Sequence, residues 1–150
     1  PGGCGGAPLV HPGPRMGLVE SIRGLQTSDG TYAQALLWTE KLGKGPISAG
    51  NRPGFVVNRM LVPMINEAIF VRQEGLASAE DIDTGMCLGC NQPIGPLALA
   101  DLIGLDTLLA IMEAFHEGFN DSKYRPAPLL REMVAAGWLG RKSGRGFFTY

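Results

Sequence analysis

Residues Asn51 to Glu67 read NRPGFVVNRMLVPMINE, and this stretch decides the fold. Pro53 suits the first turn of a helix, because its fixed φ fits there and its missing N–H would be unpaired anyway. Phe55, Val56, Met60, Met64 and Ala68 recur near helical spacing, and Val57, Leu61 and Ile69 widen the stripe until little polar surface is left. The pattern predicts a central, largely buried helix running to about Gln73 and stopped by Gly75. Asn58 falls within its first two turns. A side-chain amide there costs free energy unless it is hydrogen-bonded, so Asn58 is either a satisfied structural asparagine or a group with a task of its own.

Downstream the texture stays helical. Ser78 with Asp81 resembles a capping box and opens a helix carrying Ile82 and Met86. Pro96 begins LALADLIGL, and Leu105 or Asp106 starts a further helix through Leu109, Met112 and Phe115. His116 beside that stripe reads as a surface or partly packed residue. Pro128 opens a helix with Leu129, Leu130, Met133 and Val134, closed by Gly137. Short connections between these helices predict a compact, bundle-like domain.

Upstream, GLVESIR (Gly17 to Arg23) is a strand candidate in which Glu20 shares a face with Leu18 and Ile22. Thr27, Ser28 and Asp29 supply caps for a helix through Leu42, with Tyr32, Ala35, Leu36 and Thr39 as its stripe and Gly43 as its stop. Pro46 to Ala49 is a second short strand. Strand, helix, strand is one parallel crossover unit, too little for an independent sheet. Pro1 to Arg15 is rich in glycine and proline and cannot hold a regular element for long. Its Gly2-Gly3-Cys4-Gly5-Gly6 run has neither a strand before it nor a helix after it, so it is no phosphate loop. The predicted organisation is an irregular segment over 1–15, a strand–helix–strand over 16–50 and a helical domain over 51–150.

The 150-residue chain is 45% hydrophobic and 18% charged, a globular composition. Its net charge of −1 gives no overall field toward nucleic acid or an anionic membrane. Arg141, Lys142 and Arg145 form a local basic cluster, read either as a solvated tail or as an attraction for a phosphate-bearing partner. No run approaches the roughly 18 apolar residues of a membrane span, and the absence of a signal peptide leads to an expectation of a cytoplasmic protein. Cys4, Cys87 and Cys90 suggest no disulfide framework. Cys87-Leu88-Gly89-Cys90 lacks a second ligand pair for zinc and a βαβ context for thioredoxin-type chemistry, so all three read as small packing residues and no metal is expected. Asn120-Asp121-Ser122 matches a glycosylation sequon without a secretory context.

The segments PGFVVNR, MINEAIF, EGLASAEDIDTGM, PIGPLALADLIGLDT, KYRPAPLL and GWLGRKSGRGFFTY resemble, in the same order, the C-terminal part of a 3-hydroxyacyl-CoA dehydrogenase of the 3-hydroxybutyryl-CoA dehydrogenase type. The resemblance runs from about Met16 to Tyr150. It implies a mainly α fold: a helical domain of the 6-phosphogluconate-dehydrogenase-like type that builds the substrate cleft and a homodimer interface. A leftover strand–helix–strand of a Rossmann domain would precede it. The family's reaction is the NAD-linked oxidation of (S)-3-hydroxyacyl-CoA to 3-oxoacyl-CoA, in fatty acid or butanoate metabolism. The family's glycine-rich nucleotide fingerprint, the acidic residue after it and its active-site serine have no counterpart here. NAD is therefore expected to serve the complete enzyme and not to bind this chain well, and the isolated chain is expected to be inactive.

In the family a histidine opening H-F-F-N-P-x-P-x-M acts as general base, a later glutamate orients it, and the asparagine of G-F-V-x-N-R lies against the reacting group. Glu20 matches that glutamate and Asn58 that asparagine, while Pro12, Pro14 and Met16 match the tail of the histidine motif. An ungapped match puts Pro8 at the histidine and His11 at the motif's asparagine; a three-residue deletion would make His11 the histidine. Otherwise His11 is an exposed loop residue and the residues before Pro12 are unrelated to the family. Gln92 departs from the usual N-H-P of its loop. The catalytic candidates are thus Glu20, Asn58 and His11, with a short-chain acyl-CoA as substrate. The rival expectation is a non-catalytic helical module that self-associates, and pairing of 16–50 with another chain is left open.

Overall fold

The computed structural model describes residues 17–150. The chain divides into two compact units, one ending at Val56 and the other comprising Val57–Tyr150.

In the first unit, β1 (Leu18–Arg23) and β2 (Gly45–Gly50) pair in parallel, with Glu20 opposite Ile47. α1 (Asp29–Lys41) connects them and is capped by Ser28, whose hydroxyl accepts the Thr31 N–H. This is the predicted crossover, its strands starting or ending within a residue or two of expectation. Val19, Glu20, Ser21 and Ile22 are all buried. The Arg23–Asp29 ion pair ties β1 to the start of α1, and the Tyr32 and Ser48 hydroxyls tie α1 to β2.

In the second unit, α2 (Val57–Gln73), α3 (Ala79–Cys90), α4 (Pro96–Ile103), α5 (Leu105–Phe119) and α6 (Pro128–Ala135) are the five expected helices. Ser78 caps α3 as read, accepting the Asp81 N–H at 3.0 Å. Proline opens α4 and α6. The core is built from Val62, Ile65 and Ile69 of α2, Leu97 of α4, Leu105, Leu108 and Met112 of α5, and Leu130 of α6, all essentially inaccessible. Cutting Leu108 to alanine would cost about 2–5 kcal/mol, the usual loss for a fully buried leucine.

Two expectations about α2 need correction. Pro53 does not begin the helix: residues 51–56 are turns and bends, and α2 starts at Val57. Gly54 (φ 78°) and Phe55 (φ 49°) are both left-handed, a conformation glycine adopts freely and phenylalanine rarely, and two such residues in succession cannot propagate an α-helix. The inward stripe is also only partly the one predicted: Ala68 and Ile69 are buried and Leu61 and Met64 pack against the core. Val56 and Met60 are exposed, whereas Val62, Ile65, Asn66, Ala68 and Ile69 face the core. The proline that does lie in the helix is Pro63.

Candidate functional site

Glu20 and Asn58 lie in different units, and each is fixed by its own surroundings. Glu20 sits in the middle of β1 with 3% of its surface exposed. Its Oε1 accepts the backbone N–H of Val56 at 2.9 Å, and this contact, 36 positions along the chain, helps hold the left-handed turn before α2. A buried carboxylate needs such donors, because burial without them would be costly. The strand geometry thus delivers what the sequence predicted, a carboxylate among apolar neighbours and pointing one way. His11, Pro12, Pro14 and Met16 lie outside the described residues.

Asn58 is on the first turn of α2, half-buried, and its side chain makes no hydrogen bond among the described residues. A satisfied structural amide is found at Asn66, which sequence reasoning passed over. Only 3% exposed, Asn66 donates to the Arg125 carbonyl at 3.0 Å and accepts the Ala127 N–H at 2.9 Å. The signal was a lone amide inside the apolar run of MINEAIF.

Next to Asn58, Arg59 holds the first turn of α2 against α5. Its guanidinium lies 3.9 Å from the centre of the Phe119 ring and 5.5 Å from that of Tyr124. Phe115, Phe119 and Tyr124 pack edge to face or tilted with centroids 4.8–5.9 Å apart, the geometry aromatic quadrupoles favour.

Two further carboxylates, Asp83 half-buried and Asp101 buried, went unnoticed in the sequence. Asp83 on α3 accepts the Leu97 and Ala98 N–H groups, each at 2.8 Å, so it caps α4 from outside that helix. Asp101, 1% exposed, accepts Phe147 N–H at 3.0 Å, Phe148 N–H at 2.9 Å and the Tyr150 hydroxyl at 3.1 Å. Burial, followed by the nearby Asp101 carboxylate, raises the Tyr150 pKa above its ordinary value. A Cβ on Gly146 would collide with the Asp101 carboxylate, so only glycine lets the backbone come this close.

The basic cluster is spent locally. Lys142 pairs with Asp106 at 2.5 Å, and this hydrogen bond is the main cause holding the Asp106 carboxyl below its ordinary pKa. Arg141 stacks on Tyr150 and Arg145 on Trp138. His116 is exposed, as read.

An apolar groove of about 380 Å³ lies between α2, α3 and the start of α4. Met64, Ala68, Val71, Ile82 and Met86 line it, with Glu67 and Asp81 among its residues. Among the described residues no helix is long and apolar enough to cross a membrane, and no three His, Cys, Asp or Glu side chains are grouped to hold a metal ion.

The turn from β1 into α1 stands where a pyrophosphate site would lie in a nucleotide-binding crossover. It contains the single glycine Gly24, whose N–H donates to Thr27 Oγ1 at 3.1 Å; the Thr27 N–H returns to the Gly24 carbonyl, and the Thr31 N–H goes to Ser28. These donors are used inside the turn, so it does not fit a dinucleotide phosphate.

Residues 54–150 match the family model for the C-terminal domain of 3-hydroxyacyl-CoA dehydrogenase. The chain belongs to that family. It is similar to a probable 3-hydroxybutyryl-CoA dehydrogenase of Bacillus subtilis, 58% identical over 145 residues, covering 97% of this chain and 50% of the relative. The 3-hydroxybutyryl-CoA dehydrogenase of Bradyrhizobium diazoefficiens is 53% identical over the same length. Among solved structures, (S)-3-hydroxybutyryl-CoA dehydrogenase from Ralstonia eutropha superposes with a TM-score of 0.94 at 64% identity, covering 97% of this chain and 52% of that one. The 3-hydroxyacyl-CoA dehydrogenase resemblance is therefore correct, and so is the mainly helical fold expected from it. The chain spans about half the length of the curated relatives it matches. Because the matches take in 97% of the chain, they extend into the stretch before Pro12 that was expected to be unrelated.

Proposed function

We propose that this chain provides the substrate-binding part of a 3-hydroxybutyryl-CoA dehydrogenase, an oxidoreductase that converts (S)-3-hydroxyacyl-CoA to 3-oxoacyl-CoA with NAD. The observation that carries the reading is the 53–64% identity to proteins of that name across 97% of the chain. The described turn from β1 into α1 does not fit the nucleotide's phosphates, and the chemistry assigned to this chain is that of its own side chains toward the 3-hydroxyl. Hydride can leave carbon only as the hydroxyl proton departs, which calls for a base that titrates near neutral pH. His11 is the candidate base. Glu20, buried and aimed by the Val56 N–H, is the candidate partner that fixes the imidazole tautomer and stabilises its charged form. Asn58, with its amide uncommitted, is the candidate hydrogen-bonding group for the substrate oxygen. The substrate would be a short-chain acyl-CoA, the metabolic setting fatty acid or butanoate turnover, and the compartment the cytoplasm.

The test is a chimera in which residues 17–150 replace the matching segment of the Ralstonia eutropha enzyme. It should oxidise NADH with acetoacetyl-CoA, and Asn58→Ala should lower kcat about 100-fold, the scale of losing one transition-state hydrogen-bond donor, with the melting temperature kept. Unchanged turnover with a lowered melting temperature would show Asn58 to be structural. Extending the replacement to include His11 tests the base: activity lost on extension removes His11 from the assignment.

A second reading, a helical module whose main property is self-association, is favoured by the exposed Met60 (66%), Leu76 (76%) and Leu88 (83%) of the second unit. It predicts a dimer by light scattering that ignores acyl-CoA, and a monomer would overturn it.

A further inference from the structure

The last two turns of α3 carry a pair of thiols that the proposed reaction does not use. Cys87 is half-buried and Cys90 exposed, and both are free. Three positions apart on one helix, they share a face. Asp83, one turn earlier on the same stripe, is committed to the Leu97 and Ala98 N–H groups, and Met86 lines the apolar groove. After Cys90 the left-handed Asn91 ends the helix.

Helical geometry sets the two Cα atoms about 5 Å apart, from a rise of about 1.5 Å and a radius of about 2.3 Å. That would suit a disulfide, but Cβ atoms at this spacing stand about 5–6 Å apart where a disulfide needs about 3.5–4.5 Å. Closing an S–S bond would have to unwind the last turn. A cation between the sulfurs removes the mismatch, because two metal–sulfur bonds of about 2.3 Å span more than one S–S bond of about 2.05 Å. With no third His, Cys, Asp or Glu grouped beside them among the described residues, the pair does not by itself supply the four ligands of tetrahedral zinc. It does supply those of a cation content with two soft ligands.

We propose that Cys87 and Cys90 form a two-thiolate site for a soft, thiophilic cation of the Cu(I) class, presented at the surface end of α3. Binding converts two thiols and one Cu(I) into a bis-thiolate copper complex with release of two protons, and no electron is transferred. The site is independent of the dehydrogenase reading.

The test uses the 150-residue chain carrying Cys4→Ser, titrated anaerobically with Cu(I) delivered as its bicinchoninate complex and followed by native mass spectrometry. The expected result is one copper per monomer taken from the chelator, more readily as pH rises, with uptake lost in both Cys87→Ser and Cys90→Ser variants of normal helical circular dichroism. Absence of uptake by the Cys4→Ser chain, equal uptake by either single variant, or copper found only in bridged dimers would each overturn it.

Discussion

The side-chain oxygen of Asn66 accepts the backbone N–H of Ala127 at 2.9 Å, joining two positions 61 residues apart. The same amide donates to the Arg125 carbonyl, so one side chain pins α2 to the connection that leads into α6. Asn66→Ala would strand the Ala127 N–H in a region without water. Its expected cost is about 2–3 kcal/mol, the usual penalty for leaving a buried backbone donor unpaired. Urea unfolding should show this as a lower midpoint with an unchanged slope.

Asp101 gathers two backbone N–H groups and the Tyr150 hydroxyl, so its replacement by asparagine substitutes a donor for one of its acceptors. Asp101→Asn should destabilise the helical unit by about 2–4 kcal/mol, since charge-assisted bonds are lost and one N–H group faces another. Limited proteolysis should then cut first within residues 140–150, where the wild-type chain resists.

The raised pKa of Tyr150 makes stability fall on the alkaline side. Below the ordinary tyrosine value of about 10 both folded and unfolded chains keep the phenol proton, and the contribution is fully present. As pH rises through that value toward the higher folded one, the unfolded state loses its proton first, and stability declines. Tyr150→Phe should flatten this decline in melting temperature measured from pH 9 to 11.

Arg59 stacks on Phe119 in a geometry that suits a planar guanidinium. Arg59→Ala should cost about 0.5–2 kcal/mol, the range for such contacts, and Arg59→Lys should recover only part of it because an ammonium cannot stack. Thermal unfolding of the two variants side by side checks the order.

Much of this fold was legible because its punctuation is local. Ser78 with Asp81, Pro96, Pro128 and Gly75 announce helix ends through their own backbone chemistry, and the helices begin and stop where those residues stand. The start of α2 was misread because the deciding partner is remote. Glu20 takes the Val56 N–H from 36 positions upstream, and nothing in NRPGFVV announces that bond. The error carried over to the inward stripe. Glu20 was legible as a buried carboxylate from its place in the strand pattern. Asn66, Asp83 and Asp101 were not, since each satisfies backbone groups of another segment: Asn66 those at 125 and 127, Asp83 the first turn of α4, Asp101 the stretch at 147 and 148.

Those long spans bear on how the molecule is made. Gln73 bonds the Leu129 N–H and Asn66 the Ala127 N–H, so α2 obtains these two polar fastenings from chain that follows them by 56 and 61 residues. During synthesis on a ribosome, α2 to α5 emerge while those fastenings are still inside or unsynthesised. The nascent helical unit must wait for those two bonds until the residues that make them have emerged. A chain released before residue 129 would keep the apolar packing of α2 on α4 and α5 but lack the bond from Gln73 that fastens its end to α6.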